Sequence, residues 1–263
     1  MTPPPAVEAG FHAALGWALA LAGLATLGVC LVMEVPYGRY TTSKVFGVRF
    51  AMVNAKAAWV AMESPNLAWA AWCLRHASPA CLASPANRLL LAVFVLHYVN
   101  RTLVFPLRSR GGKPMPLVVA LAALLFCSLN GYLQCRHLTF FKEYPSAWLA
   151  DPRFIVGAAL FLTGIAVNIH SDGILRRLRG PGETGYKIPR GGLFEYVSGA
   201  NFAGEILEWI GFAVAGWSLP GFAFAVYTAC NIGPRAWRHH AWYHDKFREE
   251  YPAERRALIP FVW

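Results

Sequence analysis

The sequence predicts an all-α, polytopic membrane protein with about seven transmembrane helices, its N-terminus outside and its C-terminus in the cytoplasm. Apolar residues make up 56% of the 263 residues and charged residues 14%, with a mean hydropathy of +0.39. This balance lies outside the usual range of soluble domains. Apolar runs of roughly 20 residues, the length that crosses about 30 Å of hydrocarbon, also recur along the chain.

The predicted spans follow these apolar runs in chain order. They cover residues 11–33, 50–74, 89–107, 115–133, 154–170, 202–217 and 219–232. The second span is the least apolar because it contains Lys56 and Glu63, and only a short turn separates the last two spans. Arrangements with six or eight helices therefore remain open alternatives.

The distribution of basic residues predicts the orientation. With the N-terminus outside, 17 of the 24 Lys and Arg residues lie in inside segments and 5 in outside segments, and Lys56 and Arg101 lie within spans. Basic residues in short loops stay on the cytoplasmic side. Because these residues are spread over several loops, the net charge of +10 indicates membrane topology and no nucleic-acid partner. The first span lacks a basic n-region and a cleavage site, so we expect a retained helix.

The chain is predicted to form a single integral membrane domain over residues 1–263, since it has no internal repeat and no Pro-rich linker. The six cysteines lack the C-x-x-C spacing, which favours a packing role. A pairing of Cys73 with Cys81 is left open. His239 and His240 are adjacent and no other ligand cluster lies at helical spacing nearby, so no metal site is predicted.

Ionisable groups inside the spans are the first functional signal, because buried charge usually faces a partner or a cavity. Glu63 lies about 18 Å from the cytoplasmic edge of the second span and Tyr98 about 14 Å from that of the antiparallel third span. Arg101 lies one turn closer to the cytoplasm than Tyr98. A Tyr hydroxyl oriented by a carboxyl can donate to a ketone oxygen and stabilise enolate charge. Alternatively, Glu63 pairs with Lys56 and Tyr98 is an ordinary buried phenol.

Polar stripes on the fifth and sixth spans are the second signal. Asn168, Asp172, Arg176 and Arg179 are spaced to share one helix face. The sixth span has a similar stripe, made of Asn201, Glu205, Glu208 and Trp209. Carboxylates in an apolar helix are costly unless they bind hydroxyl, amide or amine groups. The stripes therefore predict a polar ligand, or alternatively a polar network between the helices.

Basic, glycine-rich segments on the cytoplasmic side are suited to bind phosphates. One contains Arg179, Lys187 and Arg190, and another begins at Arg110; glycines there permit close backbone approach. Neither matches a Walker loop or a G-x-G-x-x-G motif, so a Rossmann site is not predicted. The alternative is that both segments are simply inside-facing connectors.

The C-terminal segment adds His239 and Tyr243, four residues apart on a predicted helix, followed by Arg255 and Arg256. Such a face could hold a base or an amide. The alternative is an amphipathic tail at the membrane surface.

These residues lie in segments that resemble the steroid 5α-reductase family, the 3-oxo-5α-steroid 4-dehydrogenases, in order and spacing. The segments are 57–65, 96–101, Arg110-Gly-Gly-Lys-Pro-Met-Pro, Asn168-Ile-His-Ser-Asp172, 181–189, 191–201, Gly204-Glu-Ile-Leu-Glu-Trp209 and Ile259-Pro-Phe. The resemblance covers nearly the whole chain after residue 36. Its most specific part runs from residue 168 to residue 209.

The resemblance implies a seven-helix fold in which NADPH binds from the cytosol and its nicotinamide reaches a 3-oxo-Δ4 steroid such as testosterone or progesterone. The N-terminal helices, about 11–133, would form the steroid pocket, and residues about 154–263 the NADPH-binding part. Hydride would go to C5 and a proton to C4. The positions that match the family's Glu and Tyr pair at the C3 carbonyl are Glu63 and Tyr98.

The resemblance also assigns the remaining contacts residue by residue. Trp59 would line the steroid pocket together with Glu63 and Tyr98. The cofactor contacts would be Arg101, Lys113, Asn168, Asp172, Arg179, Tyr186, Lys187, Asn201, Glu205, His239, Tyr243 and Arg255. The lipid bilayer, as a bacterial inner membrane or the endoplasmic reticulum membrane, is expected to be the partner, and no obligate protein partner is evident.

The sequence departs from the family pattern at a few positions. Lys113 and Lys187 stand where some relatives carry Arg, which keeps the charge but loses the bidentate fork for phosphate. One extra residue near Asp245 makes the assignment of Arg255 less direct than that of Tyr243. The first helix matches poorly, so the preferred steroid is not indicated.

Two other functional classes are kept as hypotheses. A membrane methyltransferase of the isoprenylcysteine type resembles these reductases in its C-terminal cofactor region but uses S-adenosylmethionine. A transporter would use intramembrane charges to line a pathway, although the chain lacks halves related by repeat symmetry. Binding of NADPH separates the reductase from both.

Overall fold

A computed structural model describes residues 6–36, 38–45, 47–109, 112–178, 180, 183 and 185–263. The chain divides into two compact units. The first comprises the described residues up to Ala18 together with Met33–Asp151, and the second comprises Leu19–Val32 together with Pro152–Trp263. The boundary after Asp151 falls between the two functional parts proposed from the sequence, residues 11–133 and 154–263.

The first unit is mainly helical and has two short antiparallel strand pairs. In chain order its elements are the first part of α1 (Ala6–Val32), β1 (Lys44–Val45), β2 (Val48–Arg49), β3 (Met52–Val53), α2 (Ala55–Arg75), α3 (Pro79–Ala83), α4 (Pro85–Val99), α5 (Phe105–Arg108), β4 (Met115–Pro116) and α6 (Leu117–Arg136). Strand β1 pairs with β2, and β3 pairs with β4. One π turn, Asn100–Val104, joins α4 to α5, and another, His137–Phe141, extends α6.

The second unit contains the second part of α1 and three long helices. These are α7 (Pro152–Arg177), α8 (Ala200–Gly216) and α9 (Leu219–Phe247). Between α7 and α8 the chain forms a short 3-10 turn, Gly192–Glu195, whose Phe194 packs with Ile174 and Val197 in a small buried core. The C-terminal segment returns to this region, where Val197 and Arg256 form an isolated parallel bridge.

The all-α prediction is confirmed, and the membrane character is supported by length and composition. Among the described residues, four helical segments are long and apolar enough to cross a membrane: Ala6–Val32, Pro85–Arg108, Leu117–Phe141 and Pro152–Arg177. The other long helices, α2, α8 and α9, overlap the remaining predicted spans. The number of seven spans and the orientation of the termini stay predictions.

Several helix ends differ from the predicted span edges because capping residues determine where a helix begins or ends, whereas hydropathy indicates only how apolar a segment is. Helix α2 begins at Ala55 since the Asn54 side chain accepts hydrogen bonds from the backbone N–H groups of Lys56 and Ala57 at 3.0 and 3.1 Å. Helix α9 continues to Phe247, well past the apolar run that ends at Ile232. Hydropathy therefore marks where apolar surroundings end, whereas the helix itself extends into polar sequence.

Four glycines let α7 and α8 pack backbone against backbone. Gly157 and Gly164 lie on α7, seven residues apart, and Gly204 and Gly211 repeat that spacing on α8. A Cβ atom at Gly204 would lie 2.5 Å from the backbone nitrogen of Asn168, and those at the other three would also meet backbone atoms of the facing helix. Small residues allow this close approach between apolar helices. The crossing brings the polar stripes of the two helices together.

All six cysteines are free thiols. The pairing of Cys73 with Cys81, which the sequence leaves open, is not made in this structure. Both side chains are buried, at 0% and 3% exposure. The burial of the Cys81 thiol raises its pKa, which keeps it protonated and poorly reactive.

Candidate active site

In the first unit, Glu63 and Tyr98 contact the same helix. The Cys127 thiol of α6 donates to Glu63 Oε2 at 3.6 Å, and Asn130, one turn further along α6, donates from Nδ2 to Tyr98 Oη at 3.1 Å. Glu63 lies on α2 and Tyr98 on α4, where Tyr98 is 3% exposed. A carboxyl and a phenol from two helices therefore meet the same face of a third.

Buried amides surround this pair, and the sequence analysis missed them. Asn66 and Asn130 are 0% exposed and Gln134 is 1% exposed. Gln134 donates to Asn130 at 3.1 Å, and Asn130 also donates to Asn66 at 3.5 Å. A signal was present, because Asn130 and Gln134 lie four residues apart within an apolar run and Asn66 lies three residues after Glu63. The two amides of α6 lie in an otherwise apolar run without a charged neighbour on the same face, so this signal is weaker than that of the stripes on α7 and α8.

The approach of α2 to α6 depends on a glycine. A Cβ atom at Gly131 would lie 3.0 Å from the Cα atom of Asn66 and 3.1 Å from the indole of Trp69. Elsewhere along this pair of helices, Ala58 and Met62 of α2 form a buried apolar cluster with Met115 and Ala120. Small side chains on both helices thus allow the amides to reach each other.

The alternative pairing of Glu63 with Lys56 is not made. Lys56 is exposed, and within the described part of the chain it forms no ion pair with Glu63. Seven residues correspond to about 10 Å along a helix, a distance that the two side chains would have to bridge. Glu63 is instead turned towards Cys127 of α6.

Trp59 of α2 contacts Arg101, which lies in the π turn that follows α4. The Trp59 indole donates to the Arg101 carbonyl oxygen at 2.9 Å. The Arg101 guanidinium lies 5.1 Å from the centre of the Trp59 ring and 4.6 Å from that of Phe105, within the range of cation–π attraction. Trp59 and Arg101 thus contact each other one turn before Glu63 and one turn after Tyr98, respectively.

Lys113, the other predicted cofactor residue of the first unit, lies in the extended segment before β4. Its Nζ donates to the Arg39 carbonyl oxygen at 3.4 Å. Lys113 is exposed, so its charge faces solvent. Arg110, with which the basic segment begins, lies outside the described residues.

In the second unit, the glycine crossing joins the two predicted polar stripes. Asn168 of α7 donates from Nδ2 to the Asn201 carbonyl oxygen at 2.9 Å and to Glu205 Oε2 at 3.3 Å. Asp172 lies one turn beyond Asn168 and is 5% exposed. The alternative of a polar network between the helices is therefore realised at Asn168. Its carboxylate partner, Glu205, remains partly accessible.

A basic loop follows α7 and is held by the C-terminal segment. Arg255 is 1% exposed, and its guanidinium donates to the Pro189 carbonyl oxygen at 2.8 Å and to Glu195 at 3.5 Å. Lys187 forms an exposed ion pair with Glu183 at 2.5 Å. The hydrogen bond from Lys187, and then that from the Gly180 N–H, lower the pKa of Glu183. Arg179, predicted to bind the cofactor, lies outside the described residues.

The aromatic and imidazole groups predicted at the C-terminus lie on α9. Tyr243 is 3% exposed and stacks on Tyr251 with ring centres 5.2 Å apart. Tyr186 of the basic loop packs edge-on against Trp242 at 4.9 Å. The His239 ring lies 5.3 Å from that of Phe202, the residue after Asn201 on α8. The described cofactor residues predicted in the second unit thus lie on α7, α8 and α9, in the loop between α7 and α8, and, for Arg255, in the segment after α9.

A second cluster, Ser198 with His240 and Tyr251, fastens α9 to the residues before α8. Ser198 Oγ lies 2.6 Å from both His240 Nδ1 and Tyr251 Oη. Burial lowers the pKa of His240 to about 4, with smaller contributions from His244 and Arg256. The folded protein therefore holds His240 in its neutral form at physiological pH.

This cluster predicts a pH dependence of stability. A folded pKa of about 4 for His240 lies below the unfolded value of about 6.5, so the unfolded chain binds the extra proton first as pH falls. The contribution of neutral His240 to the free energy of unfolding should therefore be complete above pH about 6.5 and should be lost progressively as the pH falls towards about 4. We expect His240→Asn to reduce the difference between the melting temperatures at pH 5 and 7.5. The exposed His76→Asn serves as control and should retain the parental difference; equal pH dependence in both variants would contradict the assignment.

The family model and the relatives that match this chain all carry the same family description. A family model described as 3-oxo-5-alpha-steroid 4-dehydrogenase matches residues 113–263. The chain is 53% identical over 234 residues to 3-oxo-5-alpha-steroid 4-dehydrogenase 1 of Bos taurus, covering 86% of this chain and 87% of that protein. It is 54% identical over 243 residues to the protein of that name from Mus musculus, covering 92% of each. It is also 48% identical over 250 residues to 3-oxo-5-alpha-steroid 4-dehydrogenase 2 of Homo sapiens, covering 92% and 96%.

Proposed function

The chain belongs to the 3-oxo-5-alpha-steroid 4-dehydrogenase family of oxidoreductases, the steroid 5α-reductases, and from this premise we propose that it reduces the Δ4 double bond of 3-oxo-Δ4 steroids with NADPH. Testosterone and progesterone are representative substrates. The reaction takes place in a membrane, with the N-terminus outside and the cofactor entering from the cytoplasm. The convergence of Glu63 and Tyr98 on α6 is the observation that carries the proposal.

The first unit supplies the acid chemistry. The Tyr98 hydroxyl donates to the C3 carbonyl oxygen, and the Glu63 carboxyl orients the phenol and the ketone. As a hydride adds to C5, the electrons of the C4=C5 bond move towards the C3 oxygen, where the hydrogen bond stabilises the enolate. A proton from solvent then adds to C4 and completes the saturated ketone. Trp59, one turn before Glu63, provides an apolar wall for the steroid.

The second unit has the chemical groups that a dinucleotide requires. Asn168 and Asp172, both buried, together with Glu205, offer amide and carboxylate groups for carboxamide and ribose hydroxyls, while basic side chains of the following loop suit phosphates. When bound, NADPH supplies the hydride. The residues proposed to hold it are Asn168, Asp172, Arg179, Tyr186, Lys187, Asn201, Glu205, His239, Tyr243 and Arg255, with Arg101 and Lys113 of the first unit.

The proposal is tested by assaying the purified full chain in detergent or nanodiscs. Absorbance of NADPH at 340 nm should fall when progesterone is added, and a steroid without the 3-oxo-Δ4 enone should leave it unchanged. With deuterated NADPH, one deuterium should appear at C5 of the product. Absence of NADPH oxidation would contradict the proposal, and methyl transfer from S-adenosylmethionine to a prenylated cysteine would support the methyltransferase instead.

Asn201 gives a separate test of the cofactor site. We expect Asn201→Ala to weaken NADPH binding about tenfold, since it removes an amide that bonds the cofactor, with little change in the melting temperature. Binding can be measured by quenching of intrinsic fluorescence on titration with NADPH. Asn231→Ala on α9 is a matched control because, within the described part of the chain, the Asn231 side chain accepts a hydrogen bond from Arg235 of the same helix. Parental affinity in Asn201→Ala would remove this residue from the cofactor site.

A further inference from the structure

A series of buried side-chain amides in the first unit ends on the Tyr98 hydroxyl. Gln134 Nε2 donates to Asn130 Oδ1 at 3.1 Å, and Asn130 Nδ2 donates to Tyr98 Oη at 3.1 Å. The three side chains are between 0% and 3% exposed. We propose that Asn130 is a positioning residue that makes the Tyr98 oxygen an acceptor and so directs the phenol hydrogen towards the steroid ketone. This inference rests on the proposed function.

The orientation of the amides follows from a backbone carbonyl. Asn66 Nδ2 donates at 3.4 Å to the carbonyl oxygen of Glu63, which can only accept. Asn66 Oδ1 is therefore turned towards α6, where Asn130 Nδ2 donates to it at 3.5 Å. The contact from Gln134 Nε2 to Asn130 Oδ1 is made in the same orientation. The backbone carbonyl of Glu63 thus fixes the orientation of Asn66 and, through Asn66, that of Asn130, whose nitrogen faces Tyr98.

This orientation decides what the phenol can do. An amide nitrogen has hydrogens and no acceptor, so Asn130 Nδ2 can only donate to the Tyr98 oxygen. The phenol hydrogen must therefore point to an acceptor other than Asn130. Hydrogen bonds in series polarise one another, so a donor at Oη makes the phenol a better donor in turn. Negative charge that develops on the C3 oxygen is then stabilised more strongly.

The decisive experiment is a double-mutant cycle on the full chain, using Asn130→Ala, Tyr98→Phe and the double variant. Asn130→Ala should lower kcat about tenfold, with KM for NADPH unchanged. In the Tyr98→Phe background it should have no further effect, because the hydroxyl through which Asn130 acts is absent. A merely structural role predicts that the two losses multiply.

An isosteric variant gives a readout that packing would not change. In Asn130→Asp a carboxylate oxygen faces Tyr98 and accepts the phenol hydrogen, which withdraws that hydrogen from the ketone. Turnover should therefore fall more steeply than in the parent as pH rises through the titration of the new carboxyl. Ser128→Ala is a control on the same helix, since among the described residues the Ser128 hydroxyl donates to the Leu124 carbonyl oxygen one turn before it, and it should retain the parental kcat at each pH.

The outcomes separate this inference from the proposed function. Parental kcat in Asn130→Ala, or multiplicative losses in the double variant, would overturn the positioning role and leave the reaction intact. If Asn130→Ala does not fold, Asn130→Asp decides, and a turnover that follows the parental pH profile would overturn the role. A parent that oxidises no NADPH with progesterone would overturn the proposed function, and the positioning role with it.

Discussion

Tyr98→Phe is expected to lower kcat for steroid reduction by about a hundredfold or more, the usual effect of removing a donor that stabilises developing oxyanion charge. Phenylalanine keeps the ring that packs on Phe94 at 4.7 Å and removes only the hydroxyl. Glu63→Gln should lower kcat in the same direction, because a neutral amide orients the phenol less well. Affinity for NADPH should remain at the parental value in both, since each acts on the ketone.

Steady-state kinetics with progesterone, together with fluorescence titration of NADPH, measure these effects. Tyr132→Phe is a matched control: Tyr132 is a partly buried phenol on α6 whose ring packs against Trp69 at 5.2 Å, and its loss should leave kcat unchanged. Unchanged turnover in both Tyr98→Phe and Glu63→Gln would remove the acid assignment. Equal losses in Tyr132→Phe and Tyr98→Phe would indicate a general packing defect.

Gly164→Ala is expected to lower the free energy of unfolding of the second unit by about 3 kcal/mol, at the upper end of the usual cost of overpacking. The added methyl group would fall against the backbone nitrogen and Cα of Glu208, and backbone atoms cannot turn aside as a flexible side chain can. The two helices must then separate, which would also weaken the contacts of Asn168 with Asn201 and Glu205. Affinity for NADPH should therefore fall together with stability.

Thermal unfolding in detergent, followed by intrinsic fluorescence, measures this effect. Gly28→Ala is the control, since a Cβ atom at Gly28 on α1 would meet nothing within 4 Å. That substitution should be neutral or slightly stabilising, because alanine favours the helix over glycine. A parental melting temperature in Gly164→Ala would contradict this prediction, because it would show that α7 and α8 can move apart without loss of stability.

The elements of the fold that could be predicted from the sequence are those that hydropathy reports directly. Apolar runs located the long helices, and the polar stripe through Asn168 and Asp172 correctly indicated a shared face. Helix ends were less accurate because they depend on caps, such as Asn54, and because α9 continues beyond Ile232. The assignment of the second part of α1 to the second unit could not be predicted, since α1 is divided between the two units without any break in its apolar pattern.

The candidate site was predictable only in part. The depths of Glu63 and Tyr98 in neighbouring spans indicated that they could approach, but depth alone does not identify the third helix that both contact. Asn130 and Gln134 were missed because an uncharged amide in an apolar run changes the hydropathy little. Their importance comes from long-range partners, which spacing along one helix cannot show.

The amides of α6 also restrict how that helix can sit in a lipid environment. Turning α6 by one residue, about 100°, would carry Asn130 and Gln134 away from Asn66 and Tyr98. An amide without a partner in hydrocarbon costs several kcal/mol, so competing rotational settings of the helix are disfavoured. The amides that orient the phenol therefore also favour a single rotational orientation of α6 about its axis when the helices assemble.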